Sequence, residues 1–326
     1  MAHLIRVQSF SNPGPPLRLP VFEIVFLGTS ASAPSIQRGL PAQVVMHREH
    51  RFLIDCGEGT QRQILQSGLG FKRLDKILIT HAHLDHILGL AGLLSTFARW
   101  ETIERLEIWA GSAALARIRD LLFGVVLRGA RPPMTIELCE LEPGVVLEDE
   151  DFALHAFPVS HRGQGTFGFL FEEKPRRPFI VERAEALNVP AGPLRRELVA
   201  GRAVQVADGR TVHPEQVLGP LAAGTRLVHV GDCGRTEDLL EVCHLADGLV
   251  IEATYLEVEA EMARQFAHLT ARQAARLAQE AGVRQLFLTH ISRRYREREI
   301  LDEAKEVFDN TTVARDFDHF QIVRSK

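Results

Sequence analysis

The sequence predicts a layered α/β fold, and three observations carry that reading. Short runs of β-branched and aromatic residues recur between turn signals along most of the 326 residues. Several of these runs are almost wholly apolar, as in strands covered on both faces. Helical segments fall between groups of strands instead of after each strand, which favours stacked layers over a simple doubly wound sheet.

Residues 1–20, ending in NPGPPLRLP, read as an N-terminal extension, and 21–326 as one domain. Strands are expected at VFEIVFLG, AQVVMH and RFLIDCG, then at KILITH, LEIWA, TIELCEL, FALHAF and FGFLFEE. After a gap, RLVHVGD, LVIEAT and QLFLTH complete the set. Helices are expected from Thr60 to Ser67, Asp85 to Trp100, Ser112 to Phe123 and about Arg296 to Phe308. The clearest helix runs from Thr270 to Ala281. Thr270 is placed to cap it with Gln273 three residues on, Gly282 stops it, and Ala274, Leu277, Ala278 and Ala281 form one apolar stripe.

The gap is a segment of another kind. From Lys174 to Arg210 the chain is rich in Pro, Gly and Arg and holds eight Lys/Arg against four Asp/Glu. That local +4 sits in a chain of net charge −4, which leaves −8 on the remainder. A basic stretch in an acidic protein reads either as an inserted arm that meets an anion or as a solvated excursion.

Composition narrows the function. With 45% hydrophobic and 25% charged residues, the chain is neither disordered nor fibrous. A general nucleic-acid coat protein would be basic overall, so phosphate binding must come from a local patch. No apolar run reaches a membrane span. The start, MAHLIRVQSF, lacks the pattern of an export signal, and Cys56, Cys139, Cys233 and Cys243 suggest no disulfide framework, so the expected location is the cytoplasm.

The chemistry is written in Thr80-His81-Ala82-His83-Leu84-Asp85-His86, which follows the apolar KILI and precedes a helix. Ligands at a strand's carboxyl end stand on a rim where loops converge. His81 and His83 are two apart and point the same way in extended chain. Asp85 and His86 can face a second ion. Other strand ends add His161 after FALHAFPVS, Asp232 after RLVHVG and His290 after QLFLT. Imidazole with carboxylate suits zinc, and also manganese or iron.

This constellation resembles the metallo-β-lactamase superfamily, and within it the tRNA 3′-processing endonucleases of the ribonuclease Z family. FLGTSASAPS, FLIDCGEGTQRQILQSG running into HAHLDHILGLAGLL, then IEATY, AHLTARQAA and LFLTHISRRY are similar to that family's blocks in the same order. The resemblance implies a four-layer αβ/βα sandwich with a protruding basic arm at about 174–217. It implies two zinc ions: His81, His83 and His161 on the first, Asp85, His86 and His290 on the second, and Asp232 bridging. It also implies precursor tRNA as substrate and a homodimer in which the arm of one subunit clamps tRNA for its partner.

Hydrolysis of a phosphodiester needs a nucleophile at neutral pH and relief of phosphate charge, which two metals roughly 3.5–4 Å apart provide. The departing 3′ oxygen needs a proton. His268, in AHLT, is the candidate donor, with Glu252 of IEAT positioned to hold one tautomer and raise its basicity; the family pairs these two positions. Asp85 can double as ligand and proton acceptor. Arg294 in SRRY could approach a phosphate or simply open a surface helix. Cys233 beside Asp232 reads as a packed free cysteine.

In the arm, Gly192 and Pro193 stiffen the tip, and Arg195 and Arg196 offer phosphate contacts that read shape and charge, not bases. Ile36 and Gly39 stand where the family often has lysine and asparagine, in a loop linked to the position of the cut. Leu269 stands where serine is usual. A thioester or lactone hydrolase of the same fold, as in the glyoxalase II branch, would share the ligands but leave the arm and the IEAT–AHLT pair unexplained. The arm also argues against a small phosphodiesterase, and a non-catalytic RNA-binding module would show eroded ligands.

Overall fold

The computed structural model describes residues 22–100 and 103–324, so the expected extension at 1–20 lies outside the described residues. Alternation along the strands decides the layering. In β1 (Phe22–Gly28), Ile24 and Phe26 face one way and Val25 and Leu27 the other, and both sets are buried. β3 (His50–Ile54) repeats this with Phe52 and Ile54 against Leu53. A strand buried on both faces needs a layer on each side.

The first sheet is completed by β2 (Ala42–His47), β4 (Lys76–Leu78), β5 (Arg105–Ala110), β6 (Thr135–Glu140) and β16 (His319–Ile322), in the order β16-β1-β2-β3-β4-β5-β6. β3 through β6 run parallel. The second sheet has the order β15-β14-β13-β12-β9-β8-β7. It comprises β7 (Gly144–Glu148), β8 (Phe152–Pro158), β9 (Phe167–Glu173), β12 (Arg226–His229), β13 (Gly248–Glu252), β14 (Leu286–Thr289) and β15 (Thr311–Val313). β12 through β15 are parallel, and two antiparallel steps turn β8 the same way.

The two sheets meet in a phenylalanine-rich layer built from Phe22, Phe26, Phe52, Phe152, Phe169, Phe171 and Phe287. Outside the first sheet pack α1 (Thr60–Gln66), α3 (Gly89–Trp100) and α4 (Ser112–Arg119); outside the second, α8 (Leu240–Cys243), α10 (Ala271–Glu280) and α11 (Glu297–Lys305). Helix, sheet, sheet and helix give the four layers of an αβ/βα sandwich, as expected.

Two expected helices differ in detail. The stretch Asp85–Trp100 breaks into α2 (Leu84–Ile87) and α3. The break is a close approach: Cys56 N–H donates to His86 O and Gly89 N–H to Cys56 O, each at 2.8 Å, in place of helical bonds. The helix from Ser112 continues past Phe123 as a π-helix over Asp120–Leu127. The capping box at Thr270 and the stop at Gly282, with φ 64°, are as expected.

The segment between β9 and β12 carries α5 (Val181–Ala186), α6 (Pro193–Val199), the hairpin β10 (Val204–Gln205) and β11 (Thr211–Val212), and α7 (Pro214–Val217). It closes on itself through bridges Arg176↔Ala222 and Phe179↔Leu218. Its own small core joins Ala184, Val189, Leu198, Val204, Val206, Val212, Val217 and Leu218. Helix α9 (Ala260–Gln265) precedes α10.

Candidate active site

Every candidate ligand sits where a strand ends on one edge of the sandwich. His81 and His83 follow β4, Asp85 and His86 lie on α2, His161 follows β8, Asp232 follows β12 and His290 follows β14. The structure brings all seven together. One group joins His81, His83, His161 and Asp232; another joins Asp85, His86 and His290. Asp232 reaches into both: its Oδ2 is 3.6 Å from His81 Nε2 and 3.5 Å from His86 Nε2, and its Oδ1 is 3.4 Å from His290 Nε2. His290 Nε2 also lies 3.6 Å from Asp85 Oδ2.

Four of the five imidazoles are oriented from behind. His86 Nδ1 donates to Asp55 Oδ2 at 2.7 Å, and His161 Nδ1 to Ala267 O at 2.7 Å. Thr80 donates its hydroxyl to Asp55 and so accepts from His81 Nδ1 at 3.0 Å. Thr254 donates to Glu252 and so accepts from His290 Nδ1 at 2.9 Å. With Nδ1 carrying the proton, each Nε2 lone pair points inward, the arrangement a metal-binding histidine requires. His83 turns its Nδ1 inward instead, 2.8 Å from His81 Nε2 and 3.4 Å from His161 Nε2.

The donors fit a divalent metal. His86 Nε2, His290 Nε2 and Asp232 Oδ1 are buried without a hydrogen-bond partner. Such atoms are costly unless something satisfies them. Donors ~2.1 Å from one tetrahedral metal stand ~3.4 Å from each other, close to the spacings observed. Burial lowers the pKa of His81, His83 and His161, which keeps those rings neutral and able to coordinate. Burial works against protonation of His86 too, but Asp55 and Asp232 outweigh it, so a cation at its Nε2 competes with a proton. Asp85 is buried, which opposes ionisation, yet His290 and His86 hold it well below the usual carboxylate range.

The backbone at this edge is strained. Asp55, Ala267 and His290 all have positive φ, at 57°, 51° and 55°. Non-glycine residues in this region cost energy and gather at functional sites.

His268 and Glu252 meet as expected. His268 Nδ1 donates to Glu252 Oε1 at 2.8 Å, and the ring stacks on His290 with centroids 5.4 Å apart. Burial opposes protonation of His268, but Glu252 prevails and raises its pKa to about 9. His268 also comes within reach of Asp232 and His290 as a third donor group, which its place in the sequence did not suggest.

The cluster opens into a cavity of about 590 Å³ whose walls include Ser32, Asp85, Arg117, Arg162, Tyr255, Phe266, His268, Arg293 and Arg294. Arg294 is on this rim, with Nη1 3.0 Å from Glu259 Oε1. Arg117, Arg162 and Arg293 were missed by sequence reasoning, because a lone arginine in a helix or loop carries no local signal. Asp55, Thr80 and Thr254 were also missed as orienting residues. Cys233 is a buried free thiol that donates to Arg235 O at 2.8 Å.

The arm residues lie elsewhere. Gly192, with φ 122°, caps α6, and Pro193 is its first residue. Arg195 turns inward: it donates to Val189 O from Nε and Nη2 at 3.1 and 3.0 Å and lies over the Phe179 ring. Its side chain is only 19% exposed, and its Nη2 also lies 3.9 Å from Glu185 Oε1, so it braces the segment from within. Five other basic residues of the arm pair with acids: Lys174 with Glu148, Arg176 with Glu173, Arg177 with Glu215, Arg202 with Glu197 and Arg210 with Asp208. Arg183 and Arg196 are exposed and have no ion pair among the described residues.

Residues 22–175 match the family described as "Anti-Pycsar protein Apyc1", and residues 187–291 the family described as "Beta-lactamase superfamily domain". The chain is 48% identical over 302 residues to Ribonuclease Z of Bradyrhizobium diazoefficiens, which covers 93% of this chain and 100% of that protein. It is 38% identical over 300 residues to Ribonuclease Z of Archaeoglobus fulgidus, covering 91% and 96%. The crystal structure of human tRNase Z, short form, superposes with a TM-score of 0.65 at 25% identity, over 93% of this chain and 100% of that one. The metallo-beta-lactamase fold protein YhfI of Bacillus subtilis shares the fold, with a TM-score of 0.65 at 16% identity over 92% and 98%.

Proposed function

The chain belongs to the ribonuclease Z family, and from that footing we propose that it is a metal-dependent endoribonuclease that removes 3′ trailers from precursor tRNA. The observation that carries the reading is the His268–Glu252 pair set against the His/Asp cluster. A thioester hydrolase expels a thiolate and has no need of a proton donor held at that place, and relatives named Ribonuclease Z match over 93% of the chain.

His81, His83 and His161 would hold one divalent cation and Asp85, His86 and His290 a second, with Asp232 within reach of both; zinc suits this donor set, with manganese or iron as alternatives. Bound there, the cations supply charge neutralisation at the phosphate and lower the pKa of water. The protein does the rest. Ser32 N–H, 3.1 Å from Asp85 Oδ2, and the Thr80, Thr254 and Asp55 contacts fix the donors in place. Asp85, held ionised, accepts a proton from the attacking water. His268, protonated on Nε2, gives its proton to the departing 3′ oxygen as the P–O bond breaks, and Glu252 stabilises the charged imidazole before transfer. The products are a tRNA with a 3′ hydroxyl and a trailer with a 5′ phosphate.

Arg294 on the rim and Arg183 and Arg196 on the arm, braced by Gly192, Pro193 and Arg195, meet backbone phosphates. The working form is a cytoplasmic homodimer in which each arm serves the partner's site. Among the described residues no helix is long and apolar enough to cross a membrane.

The test is incubation with a 3′-extended tRNA precursor, with and without a chelator, and mapping of the product ends. A 3′ hydroxyl at or near the discriminator base, lost on chelation, is the expected result. Hydrolysis of a glutathione thioester with intact RNA would overturn the proposal.

A further inference from the structure

The cavity wall beside His268 carries an arginine laid over an aromatic ring. The Arg162 guanidinium lies 4.7 Å from the centroid of the Phe266 ring, and its Nη2 donates to Gln265 O at 3.1 Å. Among the described residues Arg162 has no carboxylate partner, so its charge stays available. Phe266 is 36% exposed, an apolar ring left partly in water at the rim of the site. Tyr255 also lines the cavity, its ring centroid 6.2 Å from that of His268.

The stack is fixed relative to His268. One residue separates Phe266 from His268, and that residue, Ala267, is held at φ 51°. Its carbonyl accepts from His161 Nδ1 at 2.7 Å, and His268 N–H donates to Ala263 O at 2.8 Å. A left-handed alanine tied on both sides makes a rigid turn, so Phe266 and His268 move together.

His268 marks the 3′ oxygen that leaves. That oxygen belongs to the last nucleoside retained by the tRNA, whose base hangs from the same ribose. A base stacks on aromatic rings and guanidinium planes without regard to its identity. We propose that Arg162 and Phe266 form the subsite for the base of the last retained nucleotide, and that the first trailer nucleotide lies outside it. This rests on the nuclease reading above and adds to it which nucleotide the wall holds.

The test is a double-mutant cycle between protein and RNA. Cleavage of a precursor is compared with that of the same RNA carrying an abasic ribose at the last retained position, or at the first trailer position. Phe266→Ala is expected to lower kcat/KM on the intact precursor about tenfold, chiefly through KM, because one stacked base contributes on that order. The abasic change at the retained position costs wild type about the same. Together the two cost no more than either alone, because both remove one contact. With the abasic site in the trailer, Phe266→Ala keeps its full effect. Phe266→Tyr restores the wild-type rate, and Arg162→Ala runs the cycle from the other member of the stack. Additive losses at the retained position, coupling to the trailer position, or no effect of either alanine variant would overturn the subsite. Failure of the wild-type protein to cut any precursor would instead remove the nuclease reading.

Discussion

Glu252 Oε1 stands 2.8 Å from His268 Nδ1, with the carboxylate fully buried and the imidazole opening on the cavity. The same carboxylate holds His290 through the Thr254 hydroxyl. On the other sheet Asp55 does the like: it binds His86 directly at 2.7 Å and His81 through Thr80. Each sheet thus ends in one buried acid that orients two imidazoles, one by contact and one through a threonine. The difference lies in what the directly held ring does. His86 turns into the ligand cluster, whereas His268 faces the substrate space.

His268→Ala is therefore expected to separate two substrates. Cleavage of precursor tRNA requires protonation of a ribose alkoxide and should fall by about 10²–10⁴-fold in kcat. Hydrolysis of bis(p-nitrophenyl) phosphate should fall far less, because p-nitrophenolate departs without a proton. Equal losses on both substrates would mean that His268 serves the ligand cluster and not the leaving group.

This division explains what the sequence could reveal. Ligands at the ends of apolar strands are legible, because strand periodicity and residue type coincide there. The residues behind them are not: Asp55, Thr80 and Thr254 look like ordinary turn formers, and only the packing of β3 on β4 and of β13 on β14 makes them orienters. Of the edge strands that escaped notice, β7 (Gly144–Glu148) is mostly exposed, and β15 and β16, at three and four residues, are too short to show a period. The break between α2 and α3 depends on a neighbouring loop. Arg195 reads like Arg196 until the fold turns it toward Phe179.

Asp85→Ala is expected to abolish turnover while leaving RNA affinity largely intact. Asp85 sits at the cavity floor with its carboxylate committed to His290, His86 and Ser32 N–H, far in sequence from the arm that carries Arg183 and Arg196. Mobility-shift titrations with precursor tRNA, beside single-turnover cleavage, measure both quantities. Loss of binding in step with cleavage would place Asp85 in recognition.

Removal of metal is expected to lower the melting temperature. Among the described residues His86 Nε2, His290 Nε2 and Asp232 Oδ1 make no hydrogen bond and have only the 3.4–3.7 Å ion pairs with one another and with Asp85, so a bound cation would satisfy what their burial leaves unmet. A cation at a thousand times its Kd stabilises by about 4 kcal/mol. Scanning calorimetry after dialysis against chelator should show a fall of several degrees that zinc or manganese reverses. Identical melting curves with and without chelator would refute a resident metal.

The arm separates stability from affinity. Arg183→Ala with Arg196→Ala is expected to weaken tRNA binding and to reduce the slope of log K against log salt by about 0.7–0.9 for each lost phosphate contact. Arg195→Ala should act on stability, because it removes two bonds to Val189 O and the cover of Phe179. Salt-dependent binding isotherms and melting curves on the same proteins tell these roles apart. A salt slope unchanged in the double variant would show that the arm meets RNA by other groups.

Gly89→Ala is expected to damage the ligand cluster from outside it. A Cβ at Gly89 would stand 2.0 Å from Gly57 O and 2.8 Å from Cys56 O, and both are backbone atoms that cannot swing aside. The contact is the one that splits α2 from α3, with Cys56 N–H on His86 O and Gly89 N–H on Cys56 O. Forcing it apart moves His86 off Asp55 and Asp85 off Ser32. Overpacking of this kind costs about 1–3 kcal/mol, and loss of the orienting bonds should weaken metal binding by about 10–100-fold. Gly124→Ala, where an added Cβ meets nothing within 4 Å, supplies the comparison and should leave both quantities near wild type. Metal titrations and melting curves of the two variants decide the matter: if Gly89→Ala binds metal as Gly124→Ala does, the turn at Gly89 is packing alone and does not set the position of His86.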